Sequence, residues 1–135
     1  MKTGVTATQR GITRLQEHTI EDLLRADTDE DRELHHGDCI GGDDEIHGIA
    51  ELVTGYQIVI HPPSNPTKRA FRSGTVLTPK PYLERNHDIV DATQRLIAAP
   101  GEFTEQLRSG TWATVRYARK MGKPVTIVYP DGRKA

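Results

Sequence analysis

One cysteine, Cys39, occurs in 135 residues. An internal disulfide framework is therefore impossible, and a lone thiol points to a reducing cytoplasm. Charge of one sign is not in excess. The formal net charge is −1, which leaves no basic field to hold DNA or RNA, so neither is expected as a partner. Long hydrophobic runs are missing: no apolar stretch approaches the ~20 residues of a membrane span. The opening residues, Met1-Lys2-Thr3-Gly4-Val5, carry no signal-peptide pattern. Internal repeats and low-complexity tracts are absent too. With 27% of residues charged, the core has to be economical. The expectation is a single domain over residues 1–135, cytoplasmic and away from membranes.

What is present alternates between strand and helix patterns. Residues 3–7 read as a short strand around Val5. Thr13 and Gln16 have capping-box spacing, and Leu15, Ile20, Leu23 and Leu24 give the helix that follows an apolar face. The acidic run 27–31 ends it. Residues 33–36 are a second strand, followed by the glycine-rich loop Gly37-Asp38-Cys39-Ile40-Gly41-Gly42-Asp43. Ile46, Ile49, Ala50 and Val53 form the cleanest helical stripe, which Gly55 stops. Residues 57–60 are a third strand, too apolar to have a wet face. His61-Pro62-Pro63 ends it.

Residues 64–80 are rich in Pro, Gly and basic side chains and read as an irregular loop. A third helix covers 82–92, a fourth strand 95–99, a fourth helix 114–121 and a fifth strand 125–129, with 130–135 as a tail. This alternation predicts an α/β, Rossmann-like three-layer domain. Its five-stranded parallel sheet has order 3-2-1-4-5, with helices on both faces. Ligands of such sheets bind beyond the carboxyl ends of the strands, near the switch in strand order.

Four loops converge there. The stretch around Ser109-Gly110-Thr111 joins a buried strand to a helix. Ser109 or Thr111 is a natural N-cap, and Gly110 lets a ligand approach the backbone. A helix N-terminus in that position is an anion site. The first loop adds Thr8 and Arg10, and the second adds Gly37, Asp38 and Gly41. The start of the third helix adds Arg85, suited to phosphate, and Asn86, suited to a ribose hydroxyl. Trp112 packs or stacks beside the ligand, and His61 is a strand-end polar residue or an acid/base. Singly, each has a plain structural meaning as a turn, cap or surface pair. The glycine spacing is not a dinucleotide fingerprint, and no phosphate-loop lysine motif is present.

His35, His36, Asp38, Cys39, Asp43 and His47 are the residue types zinc favours. Their spacing does not suit it, because His35 and His36 point to opposite faces of a strand and Cys39 stands alone. No resident metal is expected. A magnesium ion arriving with a phosphorylated ligand would meet Asp38 or Asp43.

Taken in order, His36-Gly37-Asp38-Cys39-x-Gly41-x-Asp43, His61-Pro62, Arg85-Asn86 and Ser109-Gly110-Thr111-Trp112 resemble the SLOG superfamily. That Rossmann-like group includes the lonely-guy phosphoribohydrolases, the core of DNA-processing protein A, and the YspA/YpsA-like proteins. The small YspA/YpsA-like, phage-type members are the nearest in pattern. The resemblance implies a nucleotide or ADP-ribose-like ligand with its phosphate on residues 109–111. In the phosphoribohydrolase branch that loop reads Pro-Gly-Gly-x-Gly-Thr and is followed by a catalytic glutamate. Here Ala113, Thr114 and Val115 follow Thr111, and no acid occupies the turn. The arginine of that branch carries over to Arg85, but its glutamate carries over to no residue.

Three readings follow. The first is a binding protein, acting as sensor, carrier or sequestering protein for a nucleotide-derived ligand. The second is a nucleotide N-glycosidase, a hydrolase in which Arg85 acts with Asp38, Glu84 or Asp43 in place of the glutamate. The third is an interaction module that works through residues 64–80. Self-association is expected under each.

Overall fold

The computed structural model describes residues 1–135. Local chemistry starts the first helix as its spacing predicts. The Thr13 hydroxyl accepts from Gln16 N at 3.0 Å, and the Gln16 side chain accepts from Thr13 N at 2.9 Å. That capping box opens α1 (Arg14–Ala26), after β1 (Lys2–Ala7). There follow β2 (Glu33–His36), α2 (Gly42–Val53), β3 (Gln57–Ile60), a 3₁₀ turn (Pro66–Lys68) and β4 (Thr75–Val76). The chain then continues through α3 (Tyr82–Asp91), β5 (Arg95–Ala99), α4 (Gly110–Lys120) and β6 (Val125–Ile127).

All six strands form one parallel sheet in the order β4-β3-β2-β1-β5-β6. The expected five-strand order is embedded in it, and the sixth strand is the correction. Thr75 and Val76 pair with Val59 and Ile60 inside the segment read as irregular. Two exposed residues at a sheet edge are too short for any periodic signal. The tail is also structured. Ile127 and Ala135 exchange backbone hydrogen bonds at 2.9 and 3.0 Å, so the chain folds back on β6 beyond its third residue.

The strands are buried on both faces, as parallel strands in this architecture are. Along β5, Ile97 and Ala99 join Val5, Leu34, Ile20, Leu24, Ile46 and Ala50 in the layer covered by α1 and α2. Leu96 and Ala98 join Val90, Trp112, Val115, Ala118 and Ile127 in the layer covered by α3 and α4. One polar side chain helps fix the site end of the sheet. Gln16, 1% exposed, donates to the carbonyls of Pro100 at 2.8 Å and Val128 at 2.9 Å. It thereby ties the exits of β5 and β6 to α1.

Candidate functional site

Beyond the carboxyl ends of β1 and β5 lies a crevice of about 290 Å³, close to the ~300 Å³ at which small-molecule sites begin. The first loop contributes Thr8, Gln9 and Arg10 to its wall. The second contributes Cys39 and Asp43, α3 contributes Tyr82, Arg85 and Asn86, the loop after β5 contributes Gly101 and Glu102, and Ser109, Gly110 and Thr111 complete it. Of the residues read as ligand-binding, Thr8, Arg10, Arg85, Asn86, Ser109, Gly110 and Thr111 are thus brought together.

The helix start lies earlier than expected. α4 begins at Gly110 rather than at residue 114, because Ser109 is the N-cap and its Oγ accepts from Trp112 N at 3.2 Å. The amides of Gly110 and Thr111 donate to no acceptor in the chain. They are the free donors that a helix N-terminus leaves over. A Cβ at Gly110 would meet nothing within 4 Å, so the space in front of that backbone is open.

Arg85 is 4% exposed. Its Nη1 donates to the carbonyls of Gly37 and, at 3.1 Å, His61, and its Nη2 approaches Cys39 Sγ at 3.6 Å. Nε is buried without a partner. A bidentate grip on phosphate by the two Nη atoms is therefore not the arrangement found: the guanidinium ties the ends of β2 and β3 together. Gly37 makes this possible, since a Cβ there would stand 2.0 Å from Arg85 Nη1.

Several expected ligand contacts have structural roles instead. Asp38 lies outside the crevice and is fully buried, with φ of 58°. It accepts from Arg69 Nε at 2.7 Å and Arg72 N at 2.9 Å, and so clamps the segment leading to β4. Gly41, with φ of 87°, packs against the first loop, where a Cβ would sit 2.2 Å from Gln9 O. Glu84 is exposed and does not line the crevice. Trp112 is 2% exposed inside the second core layer, and its Nε1 donates to Glu102 Oε1 at 3.1 Å, so it packs rather than stacks on a ligand. His61 lines a neighbouring crevice.

Two carboxyl groups line the crevice, Asp43 and Glu102. The sequence offers Asp43 as a magnesium contact or a hydrolytic acid, and gives Glu102 no role. In the structure Asp43 Oδ2 accepts from the amides of Gly37 at 3.2 Å and Cys39 at 3.3 Å. Burial raises its pKa to about 6, against the opposing pull of the Arg85 charge. Glu102 sits in a patternless polar loop. It accepts from Arg10 Nη2 at 2.6 Å as well as from Trp112.

The candidate metal ligands do not gather. No three His, Cys, Asp or Glu side chains surround one point. The histidines form pairs instead: His35 Nδ1 lies 2.8 Å from His61 Nε2, and His36 Nε2 lies 2.9 Å from His47 Nδ1. Burial lowers the pKa of His36 to about 3 and, with help from His35, that of His61 to about 4.

No protein-family model matches the chain, and no curated protein matches it. Solved structures do resemble it. The crystal structure of TM1055, a structural-genomics target, superposes with a TM-score of 0.66 at 17% identity, over 92% of this chain and 71% of that one. DNA processing protein A from Helicobacter pylori, described by its single-stranded DNA binding mode, superposes with a TM-score of 0.61 at 16% identity. That match covers 94% of this chain, which spans only 64% of the other. At such identities the likeness is one of fold: a three-layer α/β architecture around a parallel sheet is shared with both.

Proposed function

We propose that residues 1–135 form one SLOG-like domain that binds a nucleotide or nucleotide-derived ligand, with a phosphate on the N-terminus of α4. The observation that carries this is the pair of unengaged amides, Gly110 and Thr111, in a crevice also lined by Arg85, whose Nε is buried without a partner. Aligned backbone donors and a helix dipole favour an anion there. Arg10 would turn toward it from Glu102, and Asn86, also in the wall, would take a ribose hydroxyl. A magnesium ion carried in with the phosphate would fall to Asp43, since Asp38 is occupied by Arg69 and Arg72. The narrower placement among YspA/YpsA-like, phage-type members rests on motif order. The cytoplasmic setting rests on a single buried thiol, and self-association belongs to the same reading.

Isothermal titration against a panel of nucleoside mono- and diphosphates tests it, with light scattering for the oligomer. Binding at millimolar concentration or better is expected, weakened by Thr111→Pro and Arg10→Ala. No binding by any member of the panel would remove the proposal. A short single-stranded oligonucleotide belongs in the panel, because a protein of like fold binds single-stranded DNA.

A second reading, N-glycosidic hydrolysis, is favoured by one observation. Of the three carboxylates considered for it, Asp43 alone lines the crevice, and a pKa of about 6 suits an acid or base near neutral pH. Released base, followed by chromatography, distinguishes hydrolysis from binding. Turnover retained in Asp43→Asn would rule out that residue as the acid.

A further inference from the structure

Next to the main crevice, and sharing Arg85 with it as a wall, is a second one of about 210 Å³. His61, Leu77, Thr78, Lys80 and Asp88 line the rest of it. His61 is 5% exposed, and its polarity is dictated from outside the crevice. The Glu33 carboxylate only accepts, so its 2.8 Å contact with His35 Nε2 places a proton on that nitrogen. Burial keeps the His35 imidazole neutral at pH 7, which leaves its Nδ1 a bare lone pair. The 2.8 Å contact between His35 Nδ1 and His61 Nε2 then requires His61 to donate. His61 is neutral as well. Its remaining nitrogen, Nδ1, is therefore an acceptor, and no donor of the chain reaches it; the one hydrogen bond of the ring is that of Nε2.

The other histidine pair differs. There Asp38 N donates to His36 Nδ1 at 2.9 Å, and His47 Nε2 lies toward Glu51 at 3.8 Å. That relay begins on a backbone amide and ends at a surface carboxylate. The Glu33–His35–His61 relay ends in a crevice.

We propose that this second crevice is a ligand subsite in which His61 Nδ1 accepts a hydrogen bond from an amino or hydroxyl group of a polar ring. The Lys80–Asp88 pair, 2.6 Å apart, supplies an ammonium donor and a carboxylate acceptor in the same wall, and Leu77 supplies apolar surface. A ring carrying donors beside acceptors, such as an aminated heterocycle or a sugar, matches that set. A free phosphate matches it less well, because the His61 lone pair and the Asp88 carboxylate offset the pull of Lys80 and Arg85. The subsite stands independently of the phosphate reading for the main crevice.

The test is long-range ¹H–¹⁵N spectroscopy on histidine-labelled protein. The free protein should show His61 protonated at Nε2 and bare at Nδ1. Millimolar cytidine should shift Nδ1 upfield. N3-methyluridine, which has neither the amine nor an N3–H donor, should leave it in place if the amine is the donor and shift it equally if the ribose hydroxyls are. Inorganic phosphate should not move it. Glu33→Gln, whose amide can donate as well as accept, should admit the second His61 tautomer and weaken the cytidine response. A proton on Nδ1 in the free protein would overturn the proposal, as would a His61 signal that neither nucleoside moves or that phosphate moves instead. The amides of Gly110 and Thr111, followed in the same samples by backbone spectra, report the main crevice separately, so failure of one site is not failure of the other.

Discussion

Acid should begin to cost this protein stability above the pH at which ordinary carboxylates titrate, and buried histidine is the reason. A histidine whose pKa is depressed on folding contributes stability that is complete above the unfolded value and is lost as pH falls toward the folded one. For His36 the drop from 6.5 to about 3 corresponds to roughly 5 kcal/mol at 1.36 kcal/mol per pH unit. For His61 the drop from 6.5 to about 4 corresponds to roughly 3 kcal/mol. Asp43 works in the opposite direction. Its carboxyl rises from 3.8 to about 6, so the folded state holds a proton the unfolded chain lacks and gains roughly 3 kcal/mol as pH falls across that range. The net loss at about pH 4 is then roughly 4 kcal/mol, a large part of the ~5–15 kcal/mol typical of a domain. Urea denaturation at about pH 7, 5.5 and 4 measures it. His36→Gln, which keeps a neutral hydrogen-bonding side chain, should be less stable near pH 7 and show a flatter acid limb. A wild-type stability within about 1 kcal/mol across this range would refute the reasoning.

Three further outcomes are expected. Gln16→Leu should lower stability by about 1–3 kcal/mol, read by denaturation, because it orphans the buried carbonyls of Pro100 and Val128. Gly37→Ala should destabilise by about 2 kcal/mol or more, since its Cβ would meet Arg85 Nη1 at 2.0 Å, and a double-mutant cycle with Arg85→Met should show strong coupling. The affinity of the main crevice for sulfate, an anion whose charge is constant in this range, should rise as pH falls through about 6, where Asp43 becomes neutral, and Asp43→Asn should remove that rise in a titration series.

The alternation of elements was legible because the helices carry a 3.6-residue apolar stripe while strands buried on both faces read as short unbroken apolar runs. The stripe from Ile46 to Val53 and the run from Leu96 to Ala99 are examples of each. Strand β4 was not legible, since Thr75 and Val76 are held by backbone pairing with β3 and carry no apolar pattern. The apolar pattern of α4 starts four residues after the helix itself, because its first turn is defined by the Ser109 cap. The crevice was half legible. Turn and cap chemistry marked the loops that meet there, while direction within a loop did not show. Asp38 and Asp43 stand five positions apart in one glycine-rich stretch. One turns inward to clamp Arg69, from a backbone of positive φ, and the other lines the crevice.

The two arginines of the crevice are not interchangeable sources of positive charge. Arg85 is held by two backbone carbonyls and approaches a thiol while buried, so drawing it onto a ligand would leave those carbonyls unpaired at a cost of about 1–3 kcal/mol each. Arg10 is paired only with Glu102, and its side chain is 74% exposed. An exposed pair of that kind contributes about 0–1 kcal/mol, so an arriving anion can take Arg10 at little cost. Arg85 therefore acts on an anion through its two remaining N–H groups, on Nε and Nη2, and through its fixed charge, while it braces the loops that shape the site. Specific geometry then has to come from the α4 amides, which need no rearrangement, and Arg10 supplies a cation that closes on the ligand. Loss of Arg85 would be felt first as loss of structure, and loss of Arg10 as loss of binding.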